Sequence, residues 1–382
     1  RGHRLAEQDF IVEAEAVFER MLSNMPEAEL CVWTDLSAAL PGPARSELRT
    51  EDCAARRARA ETVWWLSDPA YMVEGNEAKT SWLSRMAWAE LHDDQLEERQ
   101  GGSNLSDGRG HRDEHVDELL RLGPSDVSES GAWVDAPRPT LRVVPESRAL
   151  LDPFTSRPGD WPIDLDEDDF GVSVAWGVME PLDPQVAFFE RGDSLLVTAA
   201  IDLPHSPVFW GGATEGARLT LAQGPDDRVH DAASQCRYRC RWSLMAAGGR
   251  HLVSVEARSD VGVGRARFGH GLALPDSATL RVSDLLLFEP GEDLEETGLG
   301  EILPRMTGGR DWSMGDTVGI YLEVYGPSAV EDYSVSVSLE STEGGGFLRR
   351  LGQAIGLVDP GSPLRLSWMA PSDEGQIQAS YH

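Results

Sequence analysis

The chain has 382 residues, 38 Gly, 23 Pro and a formal charge of −31, from 65 acidic side chains against 34 Lys and Arg. That length holds two or three domains with proper cores. The charge argues against a nucleic-acid partner or an anionic membrane surface, both of which need clustered cations. No apolar run approaches the roughly 18 residues that span a bilayer. The composition suits a soluble, exported or salt-tolerant protein. The chain opens on Arg1 without Met or a signal-peptide pattern, so a missing N-terminus is expected.

In chain order, residues 4–26 are predicted to be helical. Leu5, Phe10, Ala14, Val17, Phe18, Met21 and Leu22 recur at helical spacing, and Pro26 stops the pattern. Ala14, Phe18 and Met21 followed by Pro26 resemble the second helix of a tetratricopeptide repeat, with Gly2 and Leu5 at the end of its first helix. The resemblance implies a helical array. A second helical block covers 45–100, broken at Ser67-Asp68-Pro69 and Glu74-Gly75-Asn76. Trp64, Trp65, Trp82 and Trp88 are expected to pack between its helices rather than cage a ligand. Residues 101–110 read as a polar Gly/Ser loop, and 124–184 as an extended, acidic, Pro-rich linker.

Beyond Pro184 the period switches to two. Strands are predicted over 186–189, 194–201, 218–222, 238–245, 252–257, 265–269 and 279–288. This succession points to an immunoglobulin-like sandwich over 185–290. A linker at 291–311 leads to further strands at 317–325, 333–340, 364–369 and 376–381, too few to close a second sandwich over 312–382. The expected fold class is α+β multidomain, with a helical N-terminal part (1–123), the linker, one complete β-sandwich and one truncated. The chain is expected to be a fragment at both ends.

The four cysteines form two local sets, Cys31 with Cys53 and Cys236 with Cys240. An even number fits two disulfides in an oxidising compartment. Buried free thiols are the alternative, and zinc is disfavoured because neither set is Cys-x-x-Cys. On a straight strand Cys236 and Cys240 would lie about 13 Å apart, so bonding them requires a bulge or turn.

Several short motifs could carry chemistry. His111-Arg112-Asp113-Glu114-His115 is a His-x-x-Glu-His string, the inverted zinc-peptidase signature. On a helix His111 and His115 would share a face with Glu114 as general base, and Glu190 is a conceivable third ligand. On a strand the imidazoles would be about 13 Å apart and could not share a metal. Asp164, Asp166 and Asp168 alternate like a calcium loop, but Asp169 and Ala175 stand where Gly and Glu belong. Gly192-Asp193-Ser194-Leu195 and Asp202-Leu203-Pro204-His205 copy hydrolase blocks, but a strand between them would hold Ser194 and His205 apart. Gly262-x-Gly264 falls between predicted strands, without the helix that would bind phosphate.

Asp68-Pro69, Asn76-Glu77 and Arg85-Met86-Ala87-Trp88-Ala89 resemble a block of the GWxTD-motif proteins, a bacterial family of unassigned function. Leu122-Gly123-Pro124-Ser125-Asp126 resembles the Gly-Pro-x-Asp ending of the same region, which spans 67–126 here. Read back from that ending, Gly110-His111-Arg112-Asp113-Glu114 stands where Gly-Trp-x-Thr-Asp would. Gly is kept, Glu replaces Asp, and the Trp is absent, as in a divergent relative. Arg191–Leu196, Ser283-Asp284-Leu285 and 319–326 are similar to the β-rich continuations of such proteins. The resemblance implies an envelope-associated, periplasmic or secreted protein and supplies no catalytic residues.

The leading expectation is a non-enzymatic envelope or secreted protein presenting interaction surfaces to an unidentified protein partner, with no cofactor. The alternatives are a zinc metallohydrolase centred on His111, Glu114 and His115, and a calcium-dependent adhesion or carbohydrate-binding module using Asp164, Asp166 and Asp168.

Overall fold

The computed structural model describes residues 1–6, 10–91, 120, 126–127, 133–134, 141–142, 144–163, 171–172, 178–203, 206, 208–209, 214–233, 236–270, 281–290, 298–309, 317–325, 333–339, 364–370 and 376–381. Both helices and mixed sheets are present, so the class is α+β. The chain divides into two units. The first comprises Arg1–Val186, Leu196–Ala273 and Thr307–Asp311, and the second Ala187–Leu195, Leu274–Met306 and Trp312–His382.

In the first unit the helices are α1 (Gly2–Ala6), α2 (Ile11–Leu22), α3 (Glu27–Trp33), α4 (Gly42–Leu48), α5 (Cys53–Ser67), α6 (Glu77–Leu91) and a short α7 (Ser147–Leu151). The single helix predicted over 4–26 is instead two, α1 and α2, with Phe10 N–H closing back on the Leu5 carbonyl at 3.0 Å. A side chain on Gly2 would sit 2.9 Å from the Phe18 ring, so only glycine lets α1 lie that close to α2. Prolines set the next starts. Pro26 precedes α3 and Pro41 precedes α4, where a missing N–H costs nothing. Asp52 caps α5 by accepting from Ala55 N–H at 2.9 Å, and Asn76 accepts from Lys79 N–H at 2.9 Å at the start of α6. Trp33, Trp64, Trp65 and Trp82 are buried among Leu36, Leu48, Leu66 and Met86, with Trp64 and Trp82 tilted at 6.0 Å. Trp88 is half-buried.

The segment read as a linker over 124–184 departs from that expectation. Ala149, Leu150 and Trp161 are buried in the helical core, and 144–163 fold with the helices. Their apolar residues are scattered among prolines, so no period betrays them. Two-residue strands pair nearby: β1 (Asp126–Val127) with β2 (Trp133–Val134), and β3 (Leu141–Arg142) with β4 (Gly171–Val172).

The main sheet of this unit has the order β5 (Val178–Pro181), β12 (Gly262–His270), β11 (His251–Arg258), β8 (Gly216–Ala222), β9 (Arg228–Ala233). All its pairs are antiparallel except β5 with β12. A smaller sheet runs β10 (Arg239–Ala247), β7 (Ser194–Asp202), β6 (Gln185–Arg191), the tip Ala187–Leu195 being counted with the second unit. Gly262-x-Gly264 lies inside β12 rather than between strands. A Cβ on Gly264 would come within 2.7 Å of Leu182 and 2.8 Å of Phe209, so glycine here admits a close neighbour, not a phosphate. The first unit thus takes in helices, the supposed linker and most of the 185–290 strands, a grouping that cuts across the expected boundaries.

In the second unit β15 (Val318–Tyr325) is central. It pairs antiparallel with β13 (Arg281–Val282), β14 (Leu286–Phe288) and β18 (Gln376–Tyr381). β16 (Tyr333–Leu339) pairs with β17 (Leu364–Ala370), and α8 (Leu299–Ile302) lies within the stretch expected to be the 291–311 linker.

Candidate functional site

One face of the five-stranded sheet is polar and buried. The register sets Arg218 and Arg265 beside Glu256, and Arg267 beside Ser254. Arg265, Arg267, Glu256 and Ser254 are each at most 4% exposed. Across this face lies the turn between α5 and α6.

Arg267 donates through Nη1 to the Leu66 carbonyl at 3.1 Å and the Asp68 carbonyl at 2.9 Å. These are acceptors that the end of α5 leaves unsatisfied, and a cation there also suits the helix dipole. Arg265 donates to the Pro69 carbonyl at 3.0 Å and the Pro162 carbonyl at 3.1 Å. Glu256 works in the opposite sense, accepting from Tyr71 N–H at 3.0 Å and Met72 N–H at 2.7 Å. It also pairs with Arg267 at 3.2 Å and accepts from Ser254 at 2.7 Å. Arg218 adds a bond to the Tyr71 carbonyl at 3.2 Å.

Tyr71 is the pivot. Its ring lies under the guanidinium groups of Arg267 at 3.8 Å and Arg228 at 4.5 Å, and its hydroxyl donates to the Trp65 carbonyl at 3.0 Å. Burial pushes that hydroxyl up to about 12 and Arg265 down to about 9, so neither changes state near neutrality. Asp68 is different: burial, reinforced by the charge of Glu77, raises its carboxyl well above the usual range. Its Oδ1 accepts from Ala70 N–H at 3.1 Å. Chemically the cluster grips backbone. Arg265 spends its donors on carbonyls, Arg267 divides its own between carbonyls, Ser254 and Glu256, and both Glu256 oxygens accept from backbone amides.

Asn76, Glu77 and Arg85 lie just beyond this turn, at the start of α6 and along it. Asn76 donates to the Trp64 carbonyl at 2.7 Å, and Arg85, lowered by burial to about 10, donates to the Leu120 carbonyl at 2.9 Å. Glu77 is buried.

A second network lies within the second unit. Arg191 grips Glu323 with two bonds, at 2.6 and 2.8 Å, and Tyr321 and Tyr325 donate to the same carboxylate at 2.8 and 2.7 Å. Burial raises the Glu323 carboxyl, but those donors outweigh it and leave it below the ordinary value. Glu190, the conceivable third zinc ligand, accepts from Arg281 Nε at 2.8 Å. Burial raises Asp284, which accepts from Phe188 N–H at 3.1 Å.

Cys31 and Cys53 are bonded, with Cα atoms 5.6 Å apart, tying α3 to the start of α5. Cys236 and Cys240 are also bonded, at 5.3 Å. The straight strand that would have parted them is broken at Tyr238, whose φ of 65° places it in the left-handed region. β10 therefore begins only at Arg239. Gly192, with φ of 66°, and Asp193 form the turn between β6 and β7, so the Gly-Asp-Ser-Leu string is hairpin chemistry. His111, Glu114, His115, Asp164, Asp166 and Asp168 lie outside the described residues. Among the described residues no group of three or more His, Cys, Asp or Glu could hold a metal ion, and no helix is long and apolar enough to cross a membrane.

The sequence did not single out Arg265, Arg267 or Glu256. The available signal was Gly-Val-Gly-Arg-Ala-Arg, in which Gly and Ala alternate with two arginines on the same strand. Small residues on one face and cations on the other mark a strand approached closely from both sides.

No family model matches the chain, and no curated protein does. Among solved structures it is similar to wild-type OgpA from Akkermansia muciniphila, at 13% identity over 26% of this chain and 32% of that one. The TM-score is 0.19, which carries no argument about fold or function.

Proposed function

We propose that this chain is a non-enzymatic, extracytoplasmic bacterial protein that presents protein-interaction surfaces, and a divergent relative of the GWxTD-motif proteins. The observation that carries the reading is the state of the cysteines: all four are bonded. Disulfides persist in oxidising compartments and are rare in reducing ones.

The finer architecture belongs to the same reading. The five-stranded sheet with β7 and β10 is taken as an immunoglobulin-like sandwich, and the sheet around β15 as an incomplete second one. The burial of β11 on both faces supports this, as do Leu182 and Phe209 against Gly264. The close packing of Gly2 on Phe18 supports the tetratricopeptide-like start. The kinship is supported by what the shared block does. Asp68 and Asn76 form the turns around Pro69 and the start of α6, and Arg85 ties α6 to Leu120. A block whose residues hold backbone marks a fold rather than a reaction.

The test is mass spectrometry, without reduction, of protein recovered from its native compartment. Two intact disulfides are expected, and four free thiols would overturn the reading. Stoichiometric zinc in untagged protein, lost in His115→Ala, would replace it with the metallohydrolase.

A further inference from the structure

We infer that the disulfide-closed turn Cys236–Cys240 is a preformed contact for an acidic peptide segment of a protein partner, with Tyr238 as its anchor and Arg237 as its cation. The inference rests on the interaction-surface reading above and names where one such surface lies.

The backbone comes first. Tyr238 is the one non-glycine residue with positive φ among the described residues. A bulky side chain is disfavoured in that region, where Gly or Asn would sit at little cost. The cost is not repaid by burial, because Tyr238 is 49% exposed. The Cys236–Cys240 bond calls for a turn here but not for an aromatic residue in it, so the choice of Tyr points to function rather than to packing.

The turn is also held on every side. Leu203 N–H donates to the Tyr238 carbonyl at 2.7 Å. Thr214 N–H donates to the Cys236 carbonyl at 3.2 Å, and Cys236 N–H to Thr214 Oγ1 at 3.2 Å. Arg239 pairs with Asp202, and Asp202 accepts from Gly308 and Gly309 N–H at 3.1 and 3.0 Å. Together with the disulfide these bonds fix the turn before anything binds. A rigid Tyr with one exposed Arg over its ring, at 5.2 Å, is ordered already and loses little freedom on contact.

The charge selects the partner. Arg239 is committed to Asp202, whereas Arg237 is exposed and contacts its own neighbour Tyr238. A carboxylate beside Tyr238 could take a charge-assisted bond from Arg237 and one from the phenol. The chain carries −31 overall, yet at physiological salt the screening length is about 8 Å, so a short acidic segment senses the turn rather than the whole envelope. A long polyanion would meet the whole envelope and is disfavoured.

The experiment uses the full chain and a fluorescein-labelled hexaglutamate peptide, followed by fluorescence anisotropy at physiological salt, where the envelope is screened. Binding is expected. Arg237→Gln should weaken it about threefold, an ordinary exposed ion pair. Tyr238→Asn, which tolerates left-handed backbone, should weaken it about tenfold, as for a modest hot spot, while Tm holds or rises. Absence of binding by the wild type, or unchanged affinity in Tyr238→Asn, overturns the inference. Binding of heparin in place of hexaglutamate also overturns it, in favour of a sulfated polyanion. Any of these results with both disulfides intact in native protein leaves the broader reading standing, whereas free thiols there remove that reading.

Discussion

The two ionic networks use the same residue types to different ends. In the first unit, Arg265, Arg267 and Glu256 bind main-chain atoms of the turn between α5 and α6, nearly 200 positions away. In the second, Arg191 and Arg281 bind carboxylates of Glu323 and Glu190, and two tyrosines finish the job. A cation that grips carbonyls fixes the course of the chain, because the carbonyls cannot move to another partner. A cation that grips a side chain fixes only that side chain. Solvent sharpens the contrast: the Arg267 side chain is fully buried, and that of Arg191 is 34% exposed.

The largest expected effect follows from that difference. Arg267→Met should cost about 3–5 kcal/mol in urea denaturation, since it leaves Glu256 charged and buried without its cation. A cost below about 1 kcal/mol would mean that water reaches the cluster and would erase the contrast. Arg191→Met should cost less, about 1–2 kcal/mol, because Tyr321 and Tyr325 still donate to the buried Glu323 and the Arg191 end is open to water, measured as hydrogen-exchange protection on β15.

Opposite pH signatures give a finer test. Asp68 has a raised carboxyl, so the folded state binds more protons there than the unfolded one. Its contribution therefore falls as pH rises from the ordinary carboxylate value through the raised one. Asp68→Asn, which keeps the acceptor for Ala70, should remove that slope and hold or raise stability at neutral pH. Lower stability of this variant at pH 7 would show that the charge is favourable. Glu323 is lowered, so its contribution is present above the ordinary carboxylate value and lost as pH falls through the depressed one. Glu323→Gln should abolish that acid loss in the second unit, seen as exchange protection on β15 that no longer depends on pH.

A third pH signature belongs to His270, which burial and the neighbouring His251 push down to about 4. Its folded value lies below the unfolded one of about 6.5, so stability should decline as pH falls across that window. His270→Phe should flatten the decline, read as Tm against pH. Near the same end of the sheet Asp152 is paired with Arg250, whose hydrogen bond holds its carboxyl below the ordinary value.

How much of this was legible depends on whether the signal was local. α5 and α6 could be read because their periods are long and Ser67-Asp68-Pro69 and Asn76 punctuate them. The break between α1 and α2 could not, because the apolar spacing of Leu5, Phe10 and Ala14 continues straight across it. Arg267 looked like a solvated charge on an alternating strand, since nothing near it in sequence says that a helix end will arrive on that face. Cys236 and Cys240 could be proposed as a pair, but a Tyr in left-handed backbone is not a turn signal. The two metal-like strings were the most conspicuous features of the sequence, and both lie outside the described residues.

The grip of Asp202 on Gly308 and Gly309 has a consequence for synthesis. A Cβ on Gly308 would collide with the backbone of Ile201 and Asp202, so this strip is pressed onto β7 and belongs to the first unit. The ribosome delivers it only after Leu274–Met306, which belongs to the second. The first unit therefore cannot complete itself from the N-terminus onward as simple domains do during translation. Neither unit is a contiguous stretch of gene, so no single cut point releases either one whole.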